Sequence, residues 1–213
     1  MLKRTNKAAS WAAVLLIGGA LGVGATQAGQ PAAGTTSIYV SSNGPTNAGD
    51  VTRFDAGFER QSRFDAGNNE GIELDRLGNL FQAGDVISGT GTLRVVSQIR
   101  NRANDTAYST DRDREIGGDQ TTLVLPKGIA IAQTKGYVIV ADNGVTAVKV
   151  FGTSAGGNVP PVAVTNLAAK PWDVAYDEPS DRLYVALVNG TVAVFDEYIG
   201  DGSDIGAAPV ART

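Results

Sequence analysis

Pro126-Lys-Gly-Ile-Ala-Ile-Ala132, Gly136-Tyr-Val-Ile-Val-Ala-Asp-Asn-Gly144 and Val145-Thr-Ala-Val-Lys-Val-Phe151 follow one another in the chain. The pattern returns as Lys170-Pro-Trp-Asp-Val-Ala-Tyr176, Leu183-Tyr-Val-Ala-Leu-Val-Asn-Gly190 and Thr191-Val-Ala-Val-Phe195. Each copy reads as a short strand, a turn, a longer apolar strand, an Asn-Gly pair and a third alternating strand. Asn-Gly suits a two-residue type I′ turn, whose central residues both take positive φ. Val188-Asn-Gly-Thr191 and Asp142-Asn-Gly-Val145 are therefore expected as such hairpins. Asn143 and Asn189 lie 46 residues apart. Tandem units of roughly 40–50 residues with apolar period two specify radial β-sheets, whereas a helical solenoid would show period 3.6.

The same punctuation extends upstream. Ser37-Ile-Tyr-Val-Ser-Ser-Asn-Gly44 matches the second strand of the later units, Asp50–Asp55 supplies a third and Gln61–Asp65 a fourth, so the first unit has no first strand of its own. The second unit opens at Gly71-Ile-Glu-Leu-Asp75 and continues through Asn79–Asp85 and Thr92–Val96, with its fourth strand expected at Thr121–Leu125. Between them, Arg100–Gln120 is polar and dense in both charge signs, which reads as a surface loop. Asn43, Asp85, Asn143 and Asn189 then close four second strands at spacings of 42, 58 and 46 residues. The expected fold is all-β: a β-propeller of four-stranded blades, about four of them, near residues 37–67, 68–125, 126–167 and 168–213. Rings close with ~4–8 blades. The fourth unit reaches Pro209–Thr213 where its fourth strand is due, so an open or truncated arc of a longer protein is expected.

Composition narrows the function classes. The chain has 213 residues, 42% of them hydrophobic, with 27 Gly, enough for a packed core with many tight turns. Residues 1–28 read as an export signal: Lys3, Arg4 and Lys7, an apolar run from Trp11 to Val23, and the small-residue site Thr26-Gln-Ala28. The run is short and Gly-rich for a membrane span of ~20 residues, so no span is expected after cleavage. The protein is expected in the periplasm, at the cell surface or secreted, with residues 29–36 as a flexible lead. Beyond residue 28 the balance is 15 basic to 22 acidic residues, a net −7. That argues against nucleic acid as partner, because phosphate contacts need clustered Lys and Arg. The chain has no Cys and no His. Ser-His-Asp and Cys-His nucleophiles, Cys/His zinc sites and His- or Cys-ligated haem are thereby excluded.

The run Pro126-Lys-Gly-Ile-Ala, Val140-Ala-Asp142 and Val148-Lys-Val-Phe151 resembles the NHL repeat. Leu183-Tyr-Val-Ala186 followed by Gly190-Thr-Val-Ala-Val-Phe-Asp196 is similar to YVTN-type propeller repeats of bacterial surface proteins. The resemblance spans 37–213 and is strongest from 126 onward. It implies a propeller, and it carries fold rather than activity, since these motifs specify strand packing.

In such an architecture the openings of the first strands form one rim. Glu70, Lys127 and Lys170 open the units and are taken as equivalent, with Asn68, Asn69, Trp172 and Asp173 beside them. Charged groups with an aromatic wall suit a ligand site for a protein, glycan or small molecule. The competing reading is ordinary solvated loops, with Trp172 packed between blades. Glu70-Gly71 also resembles the acidic residue that opens the metal site of gluconolactonase-type propellers. That likeness implies Ca²⁺ held by oxygen ligands and a metal-dependent lactonase-like hydrolase as the alternative function. Asp111-Arg-Asp-Arg-Glu115 and Asp201-Gly-Ser-Asp204 lack EF-hand spacing and read as solvated loops. Asn104-Asp-Thr106 is a glycosylation sequon within the long loop.

Overall fold

The computed structural model describes residues 12–16, 37–42, 50–68, 70–85, 90–102 and 106–206. Among these residues sixteen strands form four sheets in chain order. The first holds β1 (Ala12–Leu16), β2 (Ile38–Ser42), β3 (Asp50–Phe54) and β4 (Arg60–Asp65). The second holds β5 (Ile72–Leu74), β6 (Leu80–Asp85), β7 (Gly91–Val96) and β9 (Arg114–Ile116). A short β8 (Thr106–Ala107) leaves the second unit to pair in parallel with β4 of the first sheet. The third sheet is β10 (Pro126–Ala132), β11 (Tyr137–Asp142), β12 (Ala147–Gly152) and β13 (Ala163–Asn166). The fourth is β14 (Pro171–Asp177), β15 (Arg182–Leu187) and β16 (Val192–Phe195). All pairings but that of β8 are antiparallel.

Three apolar cores join these four sheets. Tyr39, Val51 and Phe64 pack on Ile72, Leu74 and Leu80 between the first and second. Phe81, Leu93 and Val95 meet Ile129, Val138 and Val140 between the second and third. Ile139, Ala141 and Val148 meet Val174, Val185 and Phe195 between the third and fourth. Strand β11 is apolar from Val138 to Ala141 because both its faces are covered: Val138 and Val140 turn one way, Ile139 and Ala141 the other. In the fourth sheet Leu183, Val185 and Leu187 are buried while Ala186 and Val192 are open, since only one face is packed. Among the described residues no core joins the fourth sheet to the first. The sheets make an open arc.

Several expectations are revised. The fourth strand of the second sheet is β9 at Arg114–Ile116, inside the segment expected as a loop; Asp119–Thr121 is one turn of 3-10 helix. Within the described part of that segment, Asp113 is buried, accepts Ser97 N at 3.0 Å and Ser109 N at 2.9 Å, and pairs with Arg102. The acidic cluster 111–115 is thus no solvated loop. The first sheet does have a first strand: Ala12–Leu16, within the apolar stretch expected as an export signal, pairs antiparallel with β2. The rest of that segment, Asn43, Asn104 and Pro209–Thr213 lie outside the described residues.

The Asn-Gly turns also differ from type I′. Gly190 N donates to Leu187 O at 3.1 Å, and only Gly190 takes positive φ, which makes a three-residue loop with a left-handed last residue. At 143–146 the positive φ falls on Thr146. Gly144 is required for space instead, as a Cβ there would lie 2.5 Å from Val124 Cγ1.

The Val-Ala-Asp sequence explains its aspartate. Asp142 accepts Val124 N at 3.0 Å, Leu125 N at 2.8 Å and Gly144 N at 3.2 Å, and pairs at 2.8 Å with Lys149, which also donates to Thr122 O. Both side chains are buried. Removing one member of such a pair strands a buried charge and costs about 3–5 kcal/mol. Asp142→Ala is therefore expected to lose about that much stability in urea denaturation, whereas Asp201→Ala, in an exposed turn, should stay within ~0.5 kcal/mol of the parent.

Candidate functional site

The first strands β5, β10 and β14 lie side by side, and two glycines permit it. Gly71 N donates to Lys127 O at 2.9 Å. A Cβ on Gly71 would sit 2.5 Å from Lys127 O, and one on Gly128 would sit 2.6 Å from Asp173 Cα. Both distances are below any real Cβ contact, so only glycine allows the strands this close.

Packing fixes which rim residues correspond. Ile72, Ile129 and Val174 each point into the core shared with the preceding sheet. Ile129 and Val174 stand opposite Val140 and Val185, and a register shift precedes each. Counting back two residues, Glu70, Lys127 and Trp172 are equivalent. Lys170 is not: it lies before β14, exposed, with its carbonyl accepting Val188 N at 2.9 Å. The three equivalent side chains make a continuous row. Glu70 and Lys127 form an ion pair in which both side chains are largely buried, and Lys127 Nζ lies 5.5 Å from the Trp172 ring centroid. Trp172 keeps 49% of its surface exposed.

The remaining expected site residues divide. Asn68 is buried, its amide donating to Gln82 O at 3.0 Å, so it ties strands of the second sheet together. Asn69 lies outside the described residues. Asp173 stands beside Gly128, open to solvent yet flanked by protein, and burial raises its carboxyl. The Glu70 carboxylate, expected as a possible metal ligand, carries the Lys127 ammonium. No group of three carboxylates able to hold a metal ion occurs among the described residues.

Glu73 was not among the expected site residues. Burial lifts its carboxyl to about 7, against a hydrogen bond with the Leu74 backbone, and the Asp173 charge adds to the rise. The signal was present in Ile72-Glu-Leu74: β5 has a sheet on either side of it, so an acid alternating with two core residues turns toward protein on its other side.

No protein-family model matches the chain. No curated protein matches it either. Among solved structures it is similar to a chain of the nidogen/laminin complex, with TM-score 0.55 and 17% identity over 75% of this chain and 55% of that one. It is also similar to the Dos1 propeller, with TM-score 0.53 and 10% identity over 76% of this chain and 40% of that one. The fold is a β-propeller arc of about four blades. It spans roughly half the length, or less, of these two larger chains. Among the described residues no helix is long and apolar enough to cross a membrane.

The Glu73 carboxyl gives a signed pH dependence. Its folded value is about 7 and its ordinary value 4.5. Between these the folded state holds a proton that the unfolded chain has released, so its contribution is complete below 4.5 and lost as pH rises through 7. Glu73→Gln is expected to raise the melting temperature at pH 8 and leave it nearly unchanged at pH 4. Thermal melts giving an equal shift at both values would contradict the assignment.

Proposed function

We propose that this propeller is an exported binding module and that the row Glu70–Lys127–Trp172 is its recognition surface for a protein partner. The observation that carries the reading is Trp172. A large aromatic is left half exposed at the rim and held there by Lys127, itself clamped by Glu70. Anchors of protein interfaces are enriched in Trp, and a pre-positioned side chain loses little entropy on binding. The occurrence of one structural neighbour in a nidogen/laminin complex supports a protein partner over a glycan or small ligand. Export rests on the charge and apolar pattern of residues 1–28. Mass spectrometry of the secreted protein is expected to find a chain beginning at Gly29; since cleavage there would also remove β1, it would leave the inner edge of β2 free.

A second reading is favoured by Glu73 and Asp173. Two carboxyls with raised values, one near 7, suit general acid–base work in a lactonase-like hydrolase, with Ca²⁺ as the divalent ion to test.

The chain has two tryptophans, so Trp11→Phe leaves Trp172 as the sole indole fluorophore. That variant, screened against a phage-displayed peptide library, a glycan array and a chromogenic lactone with Ca²⁺, separates the readings. Peptide binding that shifts Trp172 emission and weakens by about thirtyfold or more on Trp172→Ala is expected, the loss typical of an interface anchor. Peptide binding indifferent to Trp172→Ala, or ligands only on the glycan array, would overturn the protein-binding reading. Lactone turnover lost in Glu73→Gln would establish the second.

A further inference from the structure

Each end of the arc has a sheet face against which no described sheet packs, and the two faces are unlike. In the third sheet, the face turned to the fourth carries the cross-strand row Ala130–Ile139–Val150 and the pair Ala141–Val148, all buried. The fourth sheet repeats that face as Ala175–Tyr184–Val194 and Ala186–Val192. Here Ala175, Ala186 and Val192 are exposed, and Tyr184 and Val194 are only partly buried. Val192 keeps 48% of its surface open, whereas the equivalent Val148 is fully covered.

The first sheet is open on its other side. Toward the sheet before it, the third sheet presents Val140 and the opposed pair Val138–Phe151. The fourth presents Val185 and the opposed pair Leu183–Phe195. The first sheet carries the same set, with Ile38 opposite Phe54 and Val40 opposite Thr52. Val40, Thr52 and Phe54 are only partly buried. The fourth sheet therefore ends the arc with a face made to receive another sheet, and the first begins it with a face made to be received. Asp173 and Asp177 flank the fourth-sheet patch, and the Asp50–Arg63 ion pair borders the other. A polar rim around an apolar centre is the usual anatomy of a protein contact.

We propose that the open face of the fourth sheet docks the open face of the first sheet of a second copy of this chain, and that two such contacts close two arcs into one ring. Head-to-tail pairing of unlike faces forms a ring where the rotation closes and a filament where it does not. Two arcs of four sheets give eight, within the ~4–8 blades at which propellers close. Asp173 favours a second copy over a further complete blade. It stands where the earlier first strands have Gly71 and Gly128, each of which lets the next first strand lie alongside. A complete blade would bring its first strand against the Asp173 side chain. The first sheet brings none once residues 1–28 are removed, because β1 lies within them. In this the proposal rests on the export reading above.

Light scattering and sedimentation of the chain recovered after export are expected to give twice the chain mass, with a Kd below about 1 μM. Mass spectrometry of the same sample reports the loss of residues 1–28 separately from association. Val192→Lys and Thr52→Lys each place a charge on one of the two faces, at positions already partly open to water, and matching circular dichroism checks that both still fold. Each alone should be monomeric, with any Kd beyond about 1 mM, because every contact then includes one blocked face. Mixed one to one, the variants restore a single contact between the intact face of each. That heterodimer should be weaker than the parent dimer by about a hundredfold, since the second contact of the ring is intramolecular. An exported chain that stays monomeric at about 100 μM would overturn the proposal, as would filaments of unlimited length. A parent-like dimer in Thr52→Lys would mean that like faces pair, and no heterodimer in the mixture would mean that these faces do not meet; either result would overturn it too.

Discussion

The close approach of three first strands over Gly71 and Gly128 is the constraint on which the arc depends. Without a Cβ at either position, Lys127 O and Asp173 Cα come within distances that no other residue would tolerate. The strands can then stand side by side while the sheets behind them fan apart, leaving wedges that the three apolar cores fill. The corresponding position in β14 is Asp173, and no described strand lies beyond it. Glycine is thus used where a next first strand must fit, and a carboxylate stands where none is described.

Carboxylates do a second kind of work in this acidic chain. Asp142, Asp113 and Asp181 each gather backbone N–H groups from a loop that has no ladder to satisfy them. Asp181 accepts Ile199 N at 2.9 Å, Gly200 N at 2.7 Å and the Tyr176 hydroxyl at 2.6 Å, and Lys135 lies 3.1 Å away. Charge-assisted bonds of this sort are about twice as strong as neutral ones. They hold connecting segments that form no ladder, and Asp113 in this way holds the charged segment 106–116 despite its polar composition. A segment dense in Arg and Asp reads as solvated until its partners are known.

Much of the candidate site was legible as composition but not as geometry. Glu70, Lys127, Trp172 and Asp173 were identifiable because each opens an apolar strand after a turn. The row they form was misaligned, with Lys170 in the place of Trp172, because the Lys-x-Gly and Lys-Pro-Trp openings invite alignment on lysine. The register shifts between Pro126 and Ile129 and between Pro171 and Asp173 are backbone events with no sequence mark. Asn68 looked like a rim residue for the complementary reason: its distance from Gln82 and Thr92 is long in sequence and short only in the folded sheet.

The sequence by itself determined where most strands lie from Ile38 onward, β8 and β9 excepted, and how many units there are, because alternation and turn residues act over a few neighbouring positions. Tertiary structure decided the rest. Which charges pair, which aspartate is buried and which residues are equivalent around the axis depend on contacts between segments 7 to 57 residues apart. A single bulge or close glycine contact moves those contacts by a whole residue, and local pattern carries no record of it.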